Sequence, residues 1–234
     1  MVKKKLLIII PARSNSKTIK NKNLLSLFNK PLIYYSIKIA KKVKEKNKLI
    51  FCSTDSKKIK KVVEKHGINI PFLRPKIYSK DYSRDIEFIN HTLQEFYKKK
   101  ISFKYGLLLR PTSPIRNIKN IHKAYALFKR SKNADSIRTV TYPKNNPFKT
   151  WFLKNGYLTP ILKSKIKEHY NAPRQILPKT YWQTGNFEFF RINYLKKLNS
   201  ISGKKILAFQ IIGNETLDID KHSDLKNLKQ NMLP

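Results

Sequence analysis

A chain of 234 residues with 40% hydrophobic and 12% aromatic content is long enough to bury a continuous core and too apolar for a disordered tail. Its formal net charge of +37 raises nucleic-acid binding, but the lysines run from Lys3 to Lys229 without gathering into one stripe. A generally cationic surface is the simpler reading, with a basic nucleic-acid-binding module as the rival from another class. Cys52 is the only cysteine, which excludes an internal disulfide and suits a reducing, cytoplasmic setting. The start MVKKKLLIII imitates a secretory signal, yet Pro11 and Arg13 cut it short and no small-residue cleavage site follows. No apolar stretch approaches the ~20 residues of a membrane span.

The apolar run Leu6–Ile10 is too short for a helix and ends in Pro11, so it is predicted as a buried strand. The loop that follows holds Arg13, Lys17, Lys20 and Lys22 among Ser14, Ser16 and Asn23, with no carboxylate and no glycine. Such a loop can converge hydroxyls, backbone NH groups and cations on one polyanion, but it lacks the spacing of a P-loop. Pro31 opens a helix to about Val43, Leu49–Ser53 reads as a second strand, and Thr54-Asp55-Ser56 caps a helix that Gly67 closes. Ile68–Leu73 is predicted as a third strand ended by Arg74-Pro75. A polar linker then leads into a helix with Ile86, Ile89, Leu93 and Phe96 in register. Tyr105–Leu109 is the next strand and breaks into RPTSPIR; a helix through Ile118, Ile121, Tyr125 and Phe128 follows, then a strand at Ser136–Thr141.

Strands buried on both faces and alternating with helices predict an α/β fold with a mostly parallel sheet, whose ligands sit at the carboxyl ends of the strands. From Pro143 to about Lys179 the alternation fails amid prolines and aromatic residues, so 143–180 is read as an excursion from a single domain spanning 1–234. Trp151, Phe152, Tyr157 and Tyr170 there need a surface to bury against, and a partner subunit is the natural one. Regular order resumes with Phe187–Phe190, Ile206–Ile212 and Leu217–Asp220, and a closing helix carries Leu225, Leu228 and Met232.

Only 14 residues are acidic, which makes Asp218-Ile219-Asp220 conspicuous. In extended backbone, residues two apart point the same way, so both carboxylates can face one Mg²⁺, which takes one or two carboxylates and fills its shell with water and phosphate oxygens. The plainer reading makes Asp220 a helix cap. RPTSPIR, Arg110–Arg116, joins stiffening prolines to hydroxyls and guanidinium groups, a loop suited to sugar hydroxyls or a carboxylate. Cys52 is expected in the core, and none of the histidines has a partner at metal-ligand spacing.

These residues support a resemblance. PARSNSKTIKNKN, Pro11–Asn23, is similar to the PARxxSKxIPxKN signature of the acylneuraminate cytidylyltransferases, and LLLRPTSPIR resembles their LLQPTSPLR. NPFK, ending at Lys149, resembles NPxK, RQILP at Arg174–Pro178 resembles RQxLP, and Asp218–Asp220 matches the metal-binding acidic pair. The landmarks occur in family order. The resemblance implies a Rossmann-like nucleotidyltransferase fold (GT-A-like), a three-layer sandwich, and a homodimer whose excursion lends residues to the neighbouring site. It implies transfer of CMP from CTP to an acidic nine-carbon 2-keto sugar with Mg²⁺, in the cytoplasm, with no membrane or nucleic-acid partner. Carried over, Arg13, Ser16, Lys17 and Lys22 hold the triphosphate, while Asn23 and Arg74 contact the base or ribose. Asp218 and Asp220 hold the metal, and with Arg13 and Lys22 form the catalytic set. Arg110, Thr112, Ser113, Lys149, Arg174 and Gln175 serve the sugar. Lys20 and Thr18 replace a family proline and glycine, and Arg110 stands where glutamine is usual. Asp85 lies near a base-reading position; its carboxylate suits the exocyclic amine of cytosine and equally that of guanine. A transferase using GTP or an eight-carbon keto acid is therefore the nearer alternative.

Overall fold

The computed structural model describes residues 1–16 and 18–232. Its first half runs β1 (Val2–Pro11), β2 (Ser26–Leu27), β3 (Lys30–Pro31), α1 (Leu32–Lys42), β4 (Lys48–Ser53), α2 (Lys57–Lys65), α3 (Asp85–Lys98), β5 (Ile101–Leu108) and α4 (Ile118–Arg130). The second half adds β6 (Ser136–Thr141), β7 (Trp151–Lys154), β8 (Tyr157–Pro160), β9 (Trp182–Arg191), α5 (Ile192–Leu198), β10 (Ile206–Gln210) and α6 (His222–Met232). The chain divides into one compact unit of Met1–Thr139 with Thr184–Pro234 and a second of Val140–Gln183.

In the first unit a six-stranded sheet has the order β10-β6-β9-β5-β1-β4. Strand β1 lies between β4 and β5 and is parallel to both, with Ile8 opposite Ile50 on one side and Leu107 on the other. That position explains the unbroken apolar run: Leu6 to Ile10 have no exposure at all, because sheet faces covered by helices leave no polar side. Helix α1 packs on β1, and α3 and α5 pack on β5. Strand β9 returns antiparallel to β5, pairing Gly106 with Phe190. A Cβ at Gly106 would lie 2.1 Å from Phe190 Cζ, so only glycine lets that ring cross β5.

The α/β class expected from the alternation is observed, with local corrections. Ile68–Leu73 is not a strand. Ile68 and Ile70 are buried at 4% and 0% exposure, but Pro71 has no NH to donate, and the segment's link to β4 comes after it, from Arg74 N to Thr54 O at 2.7 Å. Leu217–Asp220 is likewise extended but outside the sheet, held by Ile219 N to Thr112 O at 2.8 Å. Ser56 caps α2, accepting from Ile59 N at 3.2 Å, which leaves Asp55 for another task. Helix α5 is absent from the sequence reading, although Ile192 and Leu195, three apart and both buried, mark its inner face.

In the second unit, β7 and β8 form a hairpin turned by Asn155-Gly156, both at positive φ (50° and 82°). An Asn-Gly pair between two apolar runs is the strongest short hairpin signal, and its mirror-image turn matches the strand twist. Trp151 packs against Tyr170 at 4.4 Å between ring centroids, while Phe152 and Tyr157 remain 59% and 79% exposed.

Cys52 is fully buried in β4, and burial pushes its thiol up to about 12, with Arg74 opposing. The folded protein is expected to resist iodoacetamide at pH 8 and to be alkylated only on unfolding, a contrast readable by intact mass.

Candidate active site

Because β1, β4 and β5 are parallel, their carboxyl ends open at the same edge, and three connecting loops meet there. Ala12 N bonds Ser53 O at 2.9 Å and Leu109 N bonds Ile9 O at 3.0 Å, carrying the pairing into the loops. Asp55 then grips the cationic loop: Ser14 donates to its carboxylate from the backbone N at 2.7 Å and from Oγ at 2.6 Å. The Ser14 hydroxyl expected for the anion cradle is therefore committed to Asp55. Asn23 Nδ2 donates to Arg13 O at 3.0 Å and folds the loop back on itself.

A cavity of about 300 Å³ opens at this edge. Arg13, Ser16, Lys22 and Asn23 line one side, Arg74 and Asp85 another, and Arg110 and Thr112 a third. Lys17 lies outside the described residues. The 76–84 segment adds Tyr78, Lys80, Asp81 and Ser83, and Arg13 Nη1 reaches Asp81 at 2.9 Å. Arg74 is 6% exposed; it donates to Ser53 O at 2.6 Å and Ser53 Oγ at 3.0 Å and lies 4.2 Å over the Phe88 ring. Burial pulls its guanidinium down to about 10, opposed by Cys52, Asp55 and Asp85, so it stays cationic at neutral pH.

The two ends of the chain meet at Lys22. Its Nζ donates to Ile219 O at 3.0 Å and to Asp220 Oδ1 at 3.1 Å, across 197 and 198 residues of sequence. Ile219 is 1% exposed and its neighbours Asp218 and Asp220 are exposed on the other side, the alternation expected of extended backbone. Ser113, 1% exposed, donates from Oγ to Asp218 Oδ1 at 3.2 Å. The capping role that competes for Asp220 belongs elsewhere: Asp224 Oδ2 accepts from Asp220 N at 2.8 Å and Lys221 N at 2.7 Å at the start of α6.

The pair suits a hard divalent cation. Among the described residues no group of three or more His, Cys, Asp or Glu is gathered. Gly185 of β9 packs close to this segment: a Cβ there would lie 3.2 Å from Ser113 Oγ and 3.3 Å from Asp218 Oδ2.

Arg116, expected among the recognition groups of RPTSPIR, turns into the protein. It is 8% exposed and donates to Asn186 O at 2.7 Å, Ser36 Oγ at 3.1 Å and Arg110 O at 2.5 Å, fixing the loop from below. Burial pulls it down to about 9, with Asp218 opposing. Arg110 does face the cavity, and Nη2 contacts both Asp85 and, at 3.3 Å, Glu188 Oε1. Burial would lower its guanidinium, but Glu188 and Asp85 together hold it above its ordinary value. Glu188 and Arg138, paired at 3.0 Å, are absent from the sequence reading. An acid inside the apolar run Phe187–Phe190 was the available signal, since a buried carboxylate requires a partner.

In the second unit Lys149 ends a 3₁₀ turn (Pro147–Lys149) and is exposed. Arg174 and Gln175 lie on another (Arg174–Ile176), where Arg174 lines a recess with Lys144, Asn146 and Lys179.

Residues 7–101 match the cytidylyltransferase family. The chain is 30% identical over 224 residues to the post-translational flagellin modification protein B of Campylobacter coli, covering 94% of this chain and 92% of that one. It is 30% identical over 222 residues to an N-acylneuraminate cytidylyltransferase of Escherichia coli, covering 95% of this chain and 51% of that one. It spans 39% of a Helicobacter pylori relative that combines a pseudaminic acid cytidylyltransferase with a hydrolase. A solved CMP:2-keto-3-deoxy-manno-octonic acid synthetase shares the fold, with a TM-score of 0.70 at 13% identity over 97% of this chain and 98% of that one. The chain belongs to the cytidylyltransferase family.

Proposed function

We propose that the protein transfers CMP from CTP to a sialic-acid-like nonulosonic acid and releases pyrophosphate. The observation that carries this reading is the meeting of Lys22 with Asp220 beside a cavity lined by Arg13 and Arg110, in a chain of this family. The sugar's anomeric hydroxyl attacks the α-phosphorus in line. The new P–O bond forms as the bond to the β-phosphate breaks, pyrophosphate carries off the electron pair, and the hydroxyl proton leaves to water. The transition state spreads negative charge over phosphate oxygens, which Arg13 and Lys22 neutralise. Asp218 and Asp220 hold Mg²⁺, which when bound adds positive charge at the phosphates. Asn23 and Arg74 orient the nucleoside, with Ser16 and Lys17 beside the phosphates. Arg110, Thr112 and Ser113 face the sugar.

We further propose a cytoplasmic homodimer in which the 140–183 unit meets the partner. The exposed Phe152, Leu153, Tyr157 and Leu158 of the hairpin support this, as large apolar side chains grouped at a surface favour burial. No helix among the described residues is long and apolar enough to cross a membrane.

The experiment is pyrophosphate release from CTP and Mg²⁺ across a panel of nonulosonic acids, with GTP, UTP and ATP as nucleotide controls. Release with CTP and at least one acid is expected; no release with any acid at high enzyme would remove the reading. Gly185→Ala is expected to lower kcat about tenfold with Tm nearly unchanged, because the methyl group displaces Ser113 and Asp218 by a few tenths of an ångström.

A further inference from the structure

Arg110 meets two carboxylates of different character. Glu188 of β9 is 3% exposed, and its second oxygen lies 3.0 Å from Arg138 Nε, an ion pair held inside the protein. Asp85, the first residue of α3, has a side chain 37% exposed on the cavity wall, where a ligand can replace it. Arg110 Nη2 already holds Asp85 at the cavity wall, so a second carboxylate can take that place on the fork only as Asp85 leaves it.

We propose that Arg110 binds the carboxylate of the acid substrate and that Asp85 is its stand-in, holding the guanidinium in the ligand-free protein and giving way one-for-one when the substrate arrives. The proposal rests on the acid-sugar reading above and deepens it. A planar guanidinium fork matches a carboxylate in geometry and in charge, and the Asp85 contact shows that a carboxylate fits at that point. Glu188 and Arg138 act as positioning residues: they keep Arg110 in place when Asp85 departs. A neutral substrate offers nothing to exchange, so the cluster selects acids.

The test is steady-state kinetics of Asp85→Asn, Arg110→Gln and Glu188→Gln with CTP and the best acid of the panel, following CMP–sugar formation. Asp85→Asn removes the competitor and is expected to lower KM for the acid about two- to fivefold, the scale of one partly exposed ion pair, with KM for CTP unchanged. Arg110→Gln is expected to raise KM for the acid about ten- to hundredfold, the scale of a charge-assisted contact, again with KM for CTP unchanged. Glu188→Gln is expected to raise KM for the acid while kcat at saturating acid stays within about threefold, a split that general loss of stability would not produce. If Asp85→Asn instead raises KM for CTP and leaves that for the acid alone, Asp85 reads the base and the proposal is overturned while the enzyme reading stands. If wild-type protein makes no CMP–sugar from any acid, the enzyme reading itself fails and takes the proposal with it.

Discussion

Replacing Lys22 by methionine is expected to reduce kcat by about 10² to 10³, the cost of removing one preorganised charge from a developing phosphate anion. The side chain is 9% exposed and its ammonium sits between the Ile219 carbonyl and the Asp220 carboxylate at the rim of the cavity. Methionine keeps the stem in place, so the loss reports on the charge. It also leaves the Ile219 carbonyl without this donor, for which about 1–3 kcal/mol of destabilisation is expected. Lys22→Arg separates the two effects, because it keeps the cation: stability should return and activity only in part. Thermal unfolding and initial rates on the three proteins check this. A methionine variant with wild-type kcat would remove Lys22 from the chemistry.

The second large effect is expected from Asp218→Asn with Asp220→Asn. Both side chains are exposed and their segment is held by backbone, through Ile219 N to Thr112 O and Ile219 O to Lys22 Nζ. The double variant should therefore keep its circular dichroism and lose no more than about 1 kcal/mol, since Asp220 is 70% exposed and the Lys22 ammonium keeps its bond to the Ile219 carbonyl. Turnover should fall by orders of magnitude, and the residual rate should lose its dependence on Mg²⁺ concentration. Retained, magnesium-dependent turnover would show that the ion is held elsewhere.

The sequence made the framework and the two poles of the site legible for identifiable reasons. Leu6–Ile10 is apolar at every position because β1 is covered on both faces, and that pattern survives in one dimension. Asp218 and Asp220 stood out because acids are scarce, and six of the 14 prove to be at this edge of the sheet: Asp55, Asp81, Asp85, Glu188, Asp218 and Asp220. What was not legible is the pairing. Asp55 with Ser14, Asp81 with Arg13 and Glu188 with Arg110 are separated by 41, 68 and 78 residues, and such contacts leave no periodic mark. Ile68–Leu73 misled because burial without strand pairing looks in sequence like a buried strand. Asn155-Gly156 and the acid within Phe187–Phe190 are local signals of a mirror-image turn and of a buried charge that needs a partner.

The central claim is that one cavity moves CMP from CTP onto an acid sugar. The most direct measurement follows CTP labelled at the α-phosphorus, incubated with Mg²⁺, the protein and the acid panel, and separates the products by anion-exchange chromatography. Label is expected in a CMP–sugar formed one-for-one with pyrophosphate. Label that remains in CTP with every acid, or appears only as free CMP from the first time point, would contradict it.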